Sequence, residues 1–219
     1  VLLSGGQTKR WLGEFFDVSV PVKVYQQIQE HCGDNPFSTR SNPARLMAVD
    51  WVSSQGFLVT VPEECKDVLQ SSLLESGLQE STDEMITYLR LQQGWPLGND
   101  IPEKTLPQEV GLNARTISLT KGCYLGQETV ARLDALGHVN RRLVVLAVEK
   151  GGSMVVGDSV ASNDEVVSRV TSVGCLGNQE VSLAMAIIPL KSMQQKSNLT
   201  VAGKAANVVS PVLLDTLMT

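Results

Sequence analysis

The chain has few of the residues that build metal sites and few aromatics. It carries two histidines, four cysteines and 5% aromatic residues in 219. The cysteines, Cys32, Cys65, Cys123 and Cys175, are scattered and form no C-x-x-C pair. That spacing argues against a disulfide framework or a zinc site and favours free thiols in a reducing compartment. His31 and His138 are too far apart in sequence to suggest a metal pair, so a surface or core role is expected of each. A surplus of positive charge is also missing: the net charge is −5. General nucleic-acid binding is therefore not expected, because it needs a basic face. Only a local basic patch, around Lys121, Arg132, Arg141 and Arg142, is suggested. No apolar run is long enough to cross a bilayer, and the first residues do not read as a signal peptide. There is no internal repeat and no low-complexity tract.

What is present is an ordinary globular composition, 42% hydrophobic and 19% charged, in a chain long enough for one large or two smaller domains. Val1 to Ser4 reads as a strand ended by Gly5-Gly6, and Gln7 to Phe16 has apolar residues at helical spacing. Val18 to Val24, broken by Pro21, suggests an edge strand or linker. Tyr25 to Cys32 is compatible with a short helix, and Asp34 to Pro43 with a loop. Arg45 to Val52 and Gly56 to Val61 form a hairpin signal around Ser53-Ser54-Gln55. Pro62-Glu63-Glu64 opens a helix that runs to about Glu75 and stops at Gly77. Ser81-Thr82-Asp83-Glu84 opens another, ending near Gly94. From Trp95 to Asn113 an irregular connector is expected, of a length that is usually functional.

The connector leads to Lys121-Gly122-Cys123-Tyr124-Leu125-Gly126-Gln127-Glu128, then Thr129-Val130-Ala131-Arg132. Core packing explains such an octet poorly. Its two glycines let the backbone turn sharply and approach a ligand closely. After Gly126 a helix is expected to run to about Leu136, where Gly137 ends it. A cysteine near a helix N-terminus and close to Lys121 would sit in positive potential, which favours thiolate. After Gly137 the pattern changes to short β-rich runs: Val139 to Glu149, Ser153 to Ala161, Glu165 to Val173, Glu180 to Ile188 and Leu199 to Val209. Turns separate them, which suggests a small β-barrel. The expected architecture is α+β, an antiparallel sheet with helices over residues 1–137, followed by a C-terminal barrel over residues 138–219.

The octet, with A-R four residues on, resembles the signature of the YgfZ family. These are folate-binding relatives of the glycine-cleavage T-protein that support iron–sulfur enzymes in bacteria, mitochondria and chloroplasts. Leu106-Pro107-Gln108-Glu109, Ile117-Ser118, Gly137 and Arg141-Arg142-Leu143 agree with the resemblance. Arg90-Leu91-Gln92-Gln93-Gly94 with Gly98-Asn99-Asp100-Ile101 is similar to the T-protein segment R-L-E-A-G…G-N-D-I. The resemblance implies ferredoxin-like α+β domains before a barrel, with roughly the first third of the family pattern absent ahead of Val1. It implies tetrahydrofolate or a one-carbon derivative as cofactor, with iron–sulfur assembly proteins or client enzymes as partners. It also implies the mitochondrial matrix, with the bacterial cytoplasm and chloroplast stroma as alternatives.

Residue by residue, Cys123 is the expected functional thiol. One cysteine alone cannot hold a cluster that normally takes four ligands. Gln92, Glu109, Lys121, Gly122, Tyr124, Gly126, Gln127, Glu128 and Arg132 are the expected cofactor-binding residues. Alternatives stay open: Glu109 as a solvated loop acid, Gln127 or Glu128 as helix caps, Arg132 as an i,i+4 ion-pair partner of Glu128, and Tyr124 as a core residue. The T-protein pattern has glutamate where this chain has Gln92. The amide keeps hydrogen bonding but cannot act as a base, which counts against aminomethyl transfer. Three readings result: a folate-dependent iron–sulfur factor, a folate-dependent aminomethyl- or methyltransferase, and a degenerate binding or structural subunit.

Overall fold

The computed structural model describes residues 1–5, 8–10, 12, 27–29, 44–53, 55–137, 139–149, 153–177, 180–193 and 198–209. These fall into two compact units, Val1–Ile86 and Thr87–Thr219. Most of the expected helix at Gln7 to Phe16, the stretch Val18 to Val24, the loop at Asp34 to Pro43, and Cys32, His31 and His138 lie outside the described residues.

The first unit is built on a four-stranded antiparallel sheet of β1 (Leu2–Ser4), β2 (Gln27–Gln29), β3 (Arg45–Val49) and β4 (Gly56–Thr60), in the order β1-β4-β3-β2. The hairpin expected at residues 45–61 is present, with Leu46 opposite Val59 and Ala48 opposite Phe57. Strand alternation puts these four on one face, where Leu3, Leu12, Leu69 and Leu73 complete the core. A helix is compatible with the sequence Tyr25 to Cys32, but Gln27–Gln29 is a strand, because pairing with β3 (Ile28 opposite Leu46) overrides local propensity. Pro62 is followed by a 3-10 turn, Glu63–Cys65, and then by α1 (Lys66–Glu75). Gly77 turns the chain out of the helix at φ 84°, where a side chain would be strained. Helix α2 (Asp83–Gln92) starts on Thr82, whose Oγ1 accepts the Met85 N–H at 3.2 Å.

The second unit is a seven-stranded antiparallel sheet. It comprises β5 (Arg141–Glu149), β6 (Ser159–Ser162), β7 (Glu165–Arg169), β8 (Ser172–Gly174), β9 (Val181–Pro189), β10 (Leu199–Val201) and β11 (Lys204–Val209). The order is β7-β6-β10-β11-β5-β9-β8. The sheet curls into a half-barrel: β7 comes up against β9, and Ser168 Oγ donates to the Ile187 carbonyl at 2.6 Å. Three of the expected β runs are shorter or divided, each at a turn. Val155 N–H donates to Asp158 Oδ2 at 2.8 Å, which delays β6 to Ser159. Asn163-Asp164 and Ala202-Gly203 have positive φ at both positions and make two-residue hairpins. β7 and β8 are separate strands on opposite edges of the sheet.

β5 and β9 are buried on both faces, so their sequences are almost continuously apolar. Val144, Leu146, Val148, Ala184, Ala186 and Ile188 fill one cluster with Val160, Val170 and Val201. Leu143, Val145, Leu183, Met185 and Ile187 face the other way and pack with Tyr88 and Leu91 of α2. This second packing is close. A Cβ on Gly174 would lie 2.9 Å from Tyr88 Cα and 3.0 Å from Leu91 Cδ1.

Candidate functional site

The connector from Trp95 to Asn113 is more regular than its composition suggests. It holds a 3-10 turn, Gly98–Asp100, the one-turn helix α3 (Pro107–Val110), and the start of α4 (Asn113–Thr116). Two ion pairs, one buried and one partly exposed, explain why. In the first, Arg90 Nη1 donates to Asp100 Oδ2 at 2.9 Å and to the Trp95 carbonyl at 3.1 Å, while Nη2 donates to Ser172 Oγ at 2.6 Å. Asp100 also accepts the Leu97 N–H at 2.9 Å, and its Oδ1 lies 2.7 Å from the Thr171 hydroxyl. Arg90 is 6% exposed and Asp100 fully buried. Charges survive at such depth only when paired and hydrogen-bonded. The segment similar to R-L-E-A-G…G-N-D-I is thus held by its own arginine and aspartate.

In the second pair, Glu109 accepts Arg141 Nε at 2.8 Å and Nη2 at 3.1 Å, a bidentate contact between α3 and β5. Its Oε2 also takes the Leu106 N–H at 2.9 Å, so Glu109 caps the helix it belongs to. Burial alone would raise this carboxyl's pKa. The Arg141 hydrogen bonds, the Leu106 N–H and the Arg141 charge outweigh burial and hold it below the usual carboxylate range. Glu109 is 6% exposed, so it is not the solvated loop acid considered above. Both carboxylate oxygens are engaged within the protein. Arg141 is paired with Glu109 while 42% of its side chain stays exposed.

The octet leaves α4 as an exposed loop. Ser118 Oγ accepts the Lys121 N–H at 3.2 Å. Lys121 Nζ lies over the Tyr124 ring, 4.5 Å from its centroid, a cation–π contact that holds the two side chains together. Tyr124 is half-buried, not a core residue. Its N–H donates to Gln127 Oε1 at 3.2 Å, so Gln127 reaches back to close the turn. Gly126, at φ 84°, is the N-cap of α5 (Gln127–Leu136), and Gly137, at φ 75°, ends it, both as expected. No side chain caps the start of α5, so the helix-capping role considered for Gln127 and Glu128 is not taken up, and Gln127 closes the turn that precedes the helix. Glu128 and Arg132 are both exposed, and among the described residues no ion pair joins them. Gly122 and Gly126 face open space. Cys123 is exposed, four residues before the first helical residue, and Leu125 beside it is fully exposed.

The structure therefore brings Lys121, Gly122, Cys123, Tyr124, Gly126, Gln127, Glu128 and Arg132 onto one loop and the helix it opens. Gln92 is exposed at the end of α2, and Glu109 is withdrawn into its ion pair. Arg90, Asp100 and Arg141 were not expected among the residues that organise this region. The segment R-L-x-x-G…G-N-D-I marks the first two and Arg141-Arg142-Leu143 the third, but nothing in sequence marks their partners. Among the described residues, no three His, Cys, Asp or Glu side chains gather as metal ligands, and no helix is long and apolar enough to cross a membrane.

No family model matches the chain. Curated sequences do. An aminomethyltransferase of Picosynechococcus sp. is 30% identical over 149 residues, covering 68% of this chain and 41% of that protein. A tRNA-modifying protein YgfZ of Yersinia enterocolitica is 28% identical over 160 residues, covering 72% and 44%. The YgfZ of Colwellia psychrerythraea is 48% identical over 60 residues, covering 26% and 18%. The chain thus spans less than half the length of these relatives. Among solved structures, the aminomethyltransferase T of the glycine cleavage system from Bartonella henselae superposes with a TM-score of 0.75 at 20% identity, covering 97% of this chain and 58% of that one. The fold is that of the aminomethyltransferases, and motif, fold and sequence similarity together make the chain a YgfZ/T-protein-like protein.

Proposed function

We propose that the chain is a folate-binding factor that supports the assembly or repair of iron–sulfur clusters, with Cys123 as its working thiol. The observation that carries this reading is the exposure of the octet. Cys123, Lys121, Gly122, Gly126 and Glu128 are presented to solvent with no core to fill, and side chains so placed are available to a ligand or partner.

The residues present fit tetrahydrofolate in chemistry. Tyr124 offers an aromatic edge beside the Lys121 ammonium, Gly122 and Gly126 leave the backbone open, and Arg132 offers a guanidinium to a carboxylate. When bound, the folate would supply a one-carbon carrier. An iron–sulfur cluster in this reading belongs to a client enzyme or assembly protein that docks on the chain. The mitochondrial matrix is the proposed compartment. One relative, at 27% identity, is a putative chloroplastic transferase of Arabidopsis thaliana, which keeps the chloroplast stroma as the alternative.

A transferase reading rests on the aminomethyltransferase relatives. Gln92 counts against it, because an exposed amide cannot accept a proton as a glutamate can. The YgfZ relatives are named tRNA-modifying proteins. The net charge of −5 gives this chain no general affinity for a phosphate backbone.

Calorimetric titration with 5-formyltetrahydrofolate tests the folate half of the proposal, beside a version extended by a family-like N-terminal segment. Saturable binding by either supports it, and no binding by both overturns it. Cellular complementation with Cys123→Ala tests the thiol half. Reduced iron–sulfur enzyme activity at unchanged protein level is expected, and full complementation would sink it.

A further inference from the structure

Two adjacent side chains of α3 reach in different directions. Glu109 is fastened to β5 by Arg141 Nε at 2.8 Å and Nη2 at 3.1 Å. Gln108, 6% exposed, donates from Nε2 to the Val130 carbonyl of α5 at 2.9 Å. Val130 is also where α5 buries a side chain, at 5% exposure. From Val130 the contacts run on into the octet without a gap. Its N–H donates to the Gly126 carbonyl at 3.1 Å, and the Gln127 N–H to the Tyr124 carbonyl at 3.3 Å. The Tyr124 N–H returns to Gln127 Oε1 at 3.2 Å, and the Tyr124 ring carries the Lys121 ammonium 4.5 Å from its centroid. Cys123 lies within the stretch that these contacts close. The Gln108 bond is not one that the helix needs. A carbonyl inside a helix already serves the N–H four residues on. The amide also leaves its own Oε1 buried and without a partner among the described residues, where a leucine of similar size would bury no such group. What the bond does add is a fixed place for α5 relative to β5.

We propose that α3 is a bracket for the octet and that Gln108 is its positioning residue. With Glu109 held on β5, Gln108 holds Val130, and through it the turn that presents Cys123. Without this bond α5 and the octet would shift together, and Cys123 would meet a ligand or partner in several poses instead of one. A misplacement of about 1 Å at a reacting group costs up to about a hundredfold in rate. The consequence rests on the octet being the working loop, but the test needs no folate. A chain that bound no folate would sink the folate reading and leave the bracket standing.

Limited digestion of the whole chain with trypsin, followed by intact-mass analysis, gives a local readout. Cleavage after Lys121 reports opening of the octet, and cleavage after Arg132 reports opening of α5. Cleavage after Arg142, within β5 and beside buried Leu143, requires the sheet to unfold. Gln108→Leu fills the space without the donor, and Gln108→Asn keeps an amide that is one methylene too short. Both should speed cleavage after Lys121 and Arg132 about fivefold, the scale of one hydrogen bond in a local opening equilibrium. Cleavage after Arg142 and the urea midpoint should stay as in the parent. Unchanged cleavage after Lys121 would overturn the proposal, and so would acceleration after Arg132 alone, since the helix would then be held without positioning the octet. Acceleration in only one variant would overturn it as well, because the effect would follow volume or polarity and not the bond. Acceleration that extends to Arg142 with a lowered urea midpoint would make Gln108 merely structural.

Discussion

Arg90 and Asp100 meet at 2.9 Å with neither side chain open to water, ten residues apart in sequence and linked through Ser172 and Thr171 to β8 and the turn before it. The pair fastens the end of α2, the connector and the sheet edge to one another. Asp100→Asn keeps the shape and removes the charge, leaving Arg90 buried without its counter-ion. It should destabilise the second unit by about 3–5 kcal/mol, the range for breaking one partner of a buried pair. Urea unfolding followed by circular dichroism would measure it. A loss within experimental error would mean that the arginine escapes to solvent.

Gly174 makes a different kind of contact. An added methyl would meet backbone at 2.9 Å and a leucine methyl at 3.0 Å, neither of which can move freely. Gly174→Ala should cost about 1–3 kcal/mol through overpacking. Gly122→Ala, where nothing lies within 4 Å, should stay within about 0.5 kcal/mol of the parent. The contrast between the two, read as thermal midpoints, separates a glycine needed for packing from one that belongs to the exposed octet.

Glu109 gives a pH signature. Its carboxyl titrates below the ordinary value of 4.5 because burial is outweighed by Arg141 and the Leu106 N–H. The unfolded chain therefore binds its proton first as the pH drops. The pair's contribution is complete above pH 4.5 and is lost as pH falls through the lower folded-state value. Glu109→Gln should lower stability at neutral pH by about 2 kcal/mol, the scale of hydrogen bonds to a charged group. The gap from the parent should then narrow as the solution is acidified below 4.5. A gap that stayed constant down to about pH 3 would contradict the role assigned to this ion pair.

The thiols should separate by exposure. Cys123 and Cys175 are exposed and Cys65 is buried. In a Cys32→Ser background, a thiol reagent should label two cysteines in the folded protein and the third only under denaturant. Cys123→Ala should remove one fast-reacting thiol and shift stability by less than about 0.5 kcal/mol, as a surface change away from any cap or core.

Much of this was legible in the sequence, and the boundary is physical. The hairpin Arg45 to Val61, α1, α2, and the two glycines around α5 are written in nearest-neighbour terms: alternation, capping oxygens and positive-φ positions. The α+β architecture and the octet loop followed from those signals. What local pattern could not supply is pairing at a distance. Gln27–Gln29 is a strand because β3 is there to receive it. Glu109 reads as a loop acid until Arg141, thirty-two residues on, closes over it. Nor does Gln108, one residue before that acid, show in sequence that its amide oxygen ends up buried and unpartnered.

Helix α5 is bracketed by left-handed glycines, and among its described side chains only Val130 is buried. A helix whose described side chains bury Val130 fully and Leu133 in part, with the Gln108 bond to its backbone, should open locally at far less cost than the doubly buried strands β5 and β9. Its amide protons should therefore trade with deuterium long before those of the sheet. A molecule seated on the octet would slow that exchange, so the protection of these amides would report its occupancy without any change in fold.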